Sequence, residues 1–197
     1  MEFGSNEASS LEGQVVTKMD VLFGMDAVDP RSQWTLSQAP LEINSESKWP
    51  TARITMLHGR ESTTRDPHRK LLRLNSNSNG KFKILQISDT HMVTGVGVCK
   101  DAINGQGQYL SESEADTLTV KFMKNVLDME NPDLVVLTGD QLHHDISDSQ
   151  SALLKVVAPI TERSIPFAAV FGNHDSEGEH ALSCEWGFIS YSMLRNA

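Results

Sequence analysis

A chain of 197 residues with 39% hydrophobic content is long enough for one substantial core and a small second lobe, and too apolar to be a disordered tail. The formal net charge of −9 is unevenly divided: residues 1–80 carry 10 acidic and 9 basic side chains, residues 81–197 carry 16 and 8. That balance argues against a nucleic-acid binder, whose phosphate contacts need a basic footprint, and it suits a protein that holds cations. The two cysteines, Cys99 and Cys184, form neither a CxxC pair nor a disulfide framework, which points to a reducing compartment. With no charged-then-apolar leader and no apolar run of membrane length, no membrane segment is read in the chain and a cytoplasmic location is the expectation.

Residues 1–78 read as a β-rich accessory segment, partly disordered at its start. "VVTKMDVLFG" and "ARITML" are its strand-like runs, separated by polar loops that contain Pro30, Pro40 and Pro50. The turn signal Asn79-Gly80 between "LLRL" and "FKILQI" predicts a hairpin. From residue 82 the pattern becomes regular. "FKILQI" is expected to be a buried strand, and "SESEADTLTVKFMKNVLDMEN" a helix opened by a capping box of Ser111 and Glu114, with Leu118, Phe122, Val126 and Met129 on its core face. "DLVVLTGD" is a second strand. "DSQSALLKVVAPITER" is a second helix, with Leu153, Leu154, Val157 and Ile160 facing the sheet and Pro159 kinking or ending it. "IPFAAVFGNHD" supplies the third strand. This β-α-β-α-β alternation implies an α/β fold with parallel strands.

All three strands leave into residues that bind metals: "QISDTH", "VLTGDQ" and "VFGNHD". Ligands of open α/β sheets gather at the carboxyl ends of strands, so Asp89, Asp140 and Asn173 can converge although they are far apart in sequence. Gly139 and Gly172, just before Asp140 and Asn173, allow the backbone to turn sharply off the second and third strands. Carboxylate, imidazole and amide oxygen together suit two cations about 3.5–4 Å apart that clamp a phosphoryl group.

These strings, in this order, resemble the calcineurin-like metallophosphoesterase superfamily, which includes the purple acid phosphatases. Within it, "DVLFGMDAVDPRSQWTLSQAPL", "ILQISDTHMVTGVGVCKDA", "PDLVVLTGDQ" and "VFGNHDSEG" are most similar to fungal phosphatases named as dosage-dependent cell-cycle regulators. The resemblance runs over about residues 20–183. It implies a partial metallophosphoesterase sandwich over 79–183 and a binuclear centre of Fe, Zn or Mn. Asp89 and His91 would hold the first ion, Asp140 would bridge both, and Asn173 would hold the second. His174 is implied as the catalytic group that stabilises the transition state or protonates the leaving oxygen, with Asp175 orienting it. The implied reaction is hydrolysis of phosphomonoesters, with a phosphorylated protein as the expected substrate, by water and without a covalent intermediate. His91 occupies the ligand position and no Tyr closely follows Asp140, so a colourless site is expected rather than the iron charge-transfer colour of the purple branch.

Other residues carry plainer readings. A lone D-x-H is more often a turn or a helix cap than a ligand pair, and only the ordered trio gives Asp89 and His91 weight. His143, His144 and Asp145 are read as solvated or as neighbours of the site, with His143 standing where many relatives have Asp or Asn. His58, His68 and His180 are read as surface residues. Cys99 lies in a Gly-rich loop, "TGVGVCKDA", without phosphate-loop spacing, which is read as a rim loop. The family completes its site with a further His and a Gly-His-x-His segment that this sequence lacks, and 184–197 reads as an atypical, altered end. The chain therefore reads as the amino-terminal half of such a domain. Two functions follow: a metallophosphatase, or a catalytically incomplete fragment or pseudo-enzyme acting at most as a binding module.

Overall fold

A computed structural model describes residues 15–41, 51–59, 74, 79–98, 102–111, 115–144 and 146–175. The expected capping box, the Asn79-Gly80 hairpin partner, both cysteines, Asp145, His68, His180 and the tail 184–197 lie wholly or partly outside them.

Three strands come from the first part of the chain: β1 (Val16–Phe23), β2 (Trp34–Leu36) and β3 (Ala52–His58). They form an antiparallel sheet in the order β1-β3-β2, with Met19 opposite Met56 and Thr35 also opposite Met56. β2 is a strand that pattern reading passes over, because three residues are too few to show an alternation. It is paired with β3, and the guanidinium of Arg31 lies 3.9 Å above the Trp34 ring. Arg31 is itself buried and bonded to Asp29 at 2.7 Å and to Asp20 at 3.1 Å.

The remainder alternates as the periodicity predicts: β4 (Ile84–Ile87), α1 (Ala115–Glu130), β5 (Leu134–Leu137), α2 (Ser149–Thr161) and β6 (Phe167–Ala169). β4, β5 and β6 are parallel neighbours, with Ile87 beside Leu137 and Leu137 beside Ala169. This is the mixed α/β architecture that the resemblance implies, with the parallel sheet preceded by the antiparallel one.

The helices decide where the core sits. Asp148 caps α2 by accepting the Ser151 N–H at 2.9 Å, and Leu153, Leu154, Val157 and Ile160 are all fully buried, as expected. Pro159 lies inside α2, which ends two residues later at Thr161. On α1 the expected face is wrong: Phe122 is 68% exposed and Met129 81%, whereas Met123 and Leu127 are buried with Val120 beside them. Two apolar stripes run along α1, about one residue's rotation apart. The one that packs begins at the buried carboxylate of Asp116, which is met by Lys155 from α2. Burial pushes the Asp116 carboxyl above its ordinary range, against the opposing pull of Lys155.

Among the described residues, one face of the parallel sheet is buried and the other is open. Leu85, Ile87, Val135, Leu137 and Phe167 pack towards the core, while Ile84 on the opposite face of β4 is 57% exposed. β4 is thus half-exposed, where a buried strand was expected. The antiparallel sheet shares the same core through Leu22, and it is tied to α2 by Phe23 N–H donating to Ser151 Oγ at 2.7 Å and by Gln150 Nε2 donating to Asp20 at 2.6 Å.

Candidate metal centre

The parallel pairing continues past the strands and becomes the scaffold of the site. Thr138 N–H donates to Ile87 O, Asp89 N–H to Gly139 O at 3.1 Å, His91 N–H to Asp140 O at 3.2 Å, and Met92 N–H to Gln141 O at 2.9 Å. The exits of β4 and β5 therefore run side by side, and side chains 50 residues apart in sequence come to one mouth.

At that mouth the backbone is bent in an unusual way. Asp89, His91 and Asp140 have φ of 55°, 45° and 51°. Left-handed conformations at non-glycine residues cost on the order of 1–3 kcal/mol each and persist only where the surroundings over-determine them. Gln141, fully buried, supplies part of that restraint: its Nε2 donates to Gly139 O at 2.7 Å, and Thr90 Oγ1 donates to its carbonyl oxygen at 2.9 Å.

The third exit packs onto the second through glycine. A Cβ on Gly172 would lie 2.1 Å from Asp140 Oδ1 and 2.3 Å from Asp140 N, and Gly139 has φ of 105° with no room for a Cβ against Gly172. His174 N–H donates to Asp140 Oδ1 at 2.9 Å. Asp175 is 1% exposed, and its two carboxylate oxygens accept Leu142 N–H at 2.9 Å and Gly172 N–H at 2.8 Å. Asn173, between Gly172 and His174 in the chain, is exposed.

The ligand atoms of Asp89, His91 and Asp140 lie within 4.8 Å of one another, and His91 Nε2 is 3.9 Å from Asp89 Oδ1. Two carboxylates and an imidazole, open to solvent and carried on hydrogen-bonded loops, form a hard-to-borderline donor set that fits a divalent cation. Imidazoles surround it. The His91 ring centroid is 5.6 Å from that of His174 and 6.3 Å from that of His143, and His143 stacks on His144 at 4.2 Å. The loop histidines therefore stand at the mouth beside the candidate ligands, with His144 itself exposed. Gln141 and Thr90 escaped sequence reasoning because their role is to bond backbone, which no motif spacing reports.

A sequence model of the family described as "Calcineurin-like phosphoesterase" matches residues 82–195. The chain is 39% identical over 165 residues to "Phosphatase DCR2" of Saccharomyces cerevisiae, covering 83% of this chain and 27% of that protein. It is 31% identical over 179 residues to "Uncharacterized protein C1020.05" of Schizosaccharomyces pombe, covering 83% and 33%. It is 37% identical over 108 residues to "Probable inactive purple acid phosphatase 28" of Arabidopsis thaliana, covering 54% and 26%. The chain thus spans about a quarter to a third of the length of these relatives. No solved structure matches it.

Proposed function

The chain belongs to the calcineurin-like phosphoesterase family, and on that premise we propose that its three strand exits build the metal-binding part of a phosphatase site acting on phosphomonoesters, with a phosphorylated protein as substrate. The observation that carries the reading is the convergence of Asp89, His91 and Asp140 ligand atoms within 4.8 Å. Asp89 and His91 would hold one ion, Asp140 would be shared with a second, and Asn173 would hold that second ion through its amide oxygen, binding without adding negative charge against an incoming phosphate. Fe, Zn and Mn all accept such a mixed nitrogen and oxygen set. Bound cations supply positive charge against the phosphoryl oxygens and make a coordinated water more acidic.

The rest is done by the chain. Asp140 commits one carboxylate oxygen to His174 N–H and keeps the other for ligation. That bond also fixes the His174 backbone, so its imidazole stands beside His91 and can hand a proton to the leaving oxygen. Asp175 acts here by fastening the loop, through Leu142 and Gly172, and so holds His174 where it is needed.

A second reading, a metal- or phosphate-binding module without turnover, is supported by the word "inactive" in the names of three plant relatives. Calorimetric titration with Mn²⁺ and assay with p-nitrophenyl phosphate and a phosphoserine peptide separate the two. Metal binding lost in Asp140→Asn, with hydrolysis in the parent, supports the phosphatase. Metal binding without hydrolysis supports the module, and no metal binding at millimolar Mn²⁺ defeats the phosphatase and the metal-binding form of the module.

A further inference from the structure

The Gly-rich run "TGVGV" at 94–98 supplies no candidate ligand and lacks phosphate-loop spacing, yet it continues the loop that carries Asp89 and His91. Its backbone is gripped from outside by side chains of other elements. Asp116, in the first turn of α1, accepts Val93 N–H at 3.1 Å, and its own amide donates to Val96 O at 3.0 Å. Lys155, on α2, donates to the carbonyl of Gly95, to Asp116 Oδ2 and, at 2.8 Å, to Asp26 Oδ2 from the loop after β1. Thr94 Oγ1 donates to Asp148 O at 2.9 Å and accepts Asp148 N–H at 3.0 Å.

The glycines are where this grip needs them. Gly95 and Gly97 have φ of 95° and 70°, and a Cβ on Gly97 would lie 2.5 Å from Asp116 Oδ1. A Cβ on Gly24 would lie 3.0 Å from Gly95 N. Close approach of the Asp116 carboxylate explains Gly97, and the positive φ alone explains Gly95, where a Cβ would meet nothing within 4 Å; neither needs a nucleotide.

Lys155 and Asp116 are each about 5% exposed at the side chain. Buried ion pairs lose much of their attraction to desolvation and are weak sources of stability, so a buried charged group aimed at backbone atoms of a loop contributes position more than strength. The position concerned is two residues from His91. That residue is held upstream by the exit of β5 and downstream by Met92 and Val93, and its left-handed backbone needs restraint on both sides.

We propose that Lys155, Asp116 and Asp26 are positioning residues for the metal loop: they fix the backbone at 93–96 and through it the conformation of His91, coupling the antiparallel sheet to the metal centre. This rests on the metal-binding reading above. The test uses the 197-residue chain, reading Val93 amide exchange by NMR without metal and Mn²⁺ affinity by calorimetry. Lys155→Met should accelerate Val93 exchange and weaken Mn²⁺ binding by about tenfold or more, as loss of groups that orient ligands commonly does. Ile160→Val, a small core deletion, should leave both unchanged. Parent-like exchange and Mn²⁺ affinity within about twofold in folded Lys155→Met would overturn the proposal. If Lys155→Met has lost its near-ultraviolet circular dichroism, Asp116→Asn decides on the same two criteria, and loss of fold there as well overturns positioning in favour of a general folding role. A parent that binds no Mn²⁺ defeats the metal reading, and Val93 exchange then decides the clamp by itself.

Discussion

The backbone N–H of His174 donates to Oδ1 of Asp140 across 2.9 Å, so the exit of β6 is fastened to the carboxylate at the exit of β5. A single side chain thus serves as candidate ligand and as anchor for the candidate acid. Asp140→Asn keeps an acceptor for His174 and removes the charge, so it should weaken Mn²⁺ binding by about tenfold or more and abolish any phosphatase turnover while the fold persists. His143→Ala should do far less, and equal losses in the two variants, by calorimetry and by assay, would make His143 a ligand.

His174→Ala keeps the backbone bond to Asp140 and removes only the ring. Metal content, measured by atomic absorption, should stay near that of the parent, while turnover falls by about two orders of magnitude or more, the usual worth of a general acid. Loss of metal in that variant would move His174 into the ligand set.

Gly172→Ala places a carbon where Asp140 Oδ1 and N already are. Neither neighbour is the free end of a flexible chain, so the strand exits must separate. The expected cost is at least about 1–3 kcal/mol in urea denaturation, together with lost Mn²⁺ binding. A variant with parent stability and affinity would show that the two exits are not packed as described.

The packed stripe of α1 is open to a direct comparison. Met123→Ala removes a buried side chain and should cost about 2–5 kcal/mol, whereas Phe122→Ser, on the 68% exposed position, should stay within about 0.5 kcal/mol. Reversed costs would restore the Leu118, Phe122, Val126 and Met129 face.

A pH effect follows from the pair that joins α1 to the turn after α2. Arg163, bonded to Asp128 at 2.6 Å and 2.8 Å, holds that carboxyl below its ordinary range. A carboxyl whose folded pKa is depressed contributes stability above its unfolded value, near 3.8, and loses it as pH falls below that. Asp128→Asn should therefore be less stable than the parent at pH 6, with the two denaturation midpoints converging towards pH 2. The difference should shrink in high salt, because the pair is exposed.

Much of this protein was legible from order alone. β4, α1, β5, α2 and β6 follow from apolar runs of the right length and period, and the ligand candidates Asp89, His91, Asp140 and Asn173 follow from what stands just after each strand, because parallel strands share one end and that end is where the chain must turn. Sequence did not determine which stripe of α1 is buried. Two stripes are apolar, and the choice falls to Asp116, whose burial is tolerable only because Lys155 arrives from another helix. It did not reveal β2, whose place is set by pairing with β3, or the roles of Gln141, which Thr90 bonds from the exit of β4, and of Asp175, which accepts Leu142 N–H from the exit of β5. Such contacts join residues with no fixed spacing along the chain. Their energies depend on distance and on exclusion of water, and both exist only once the elements have packed.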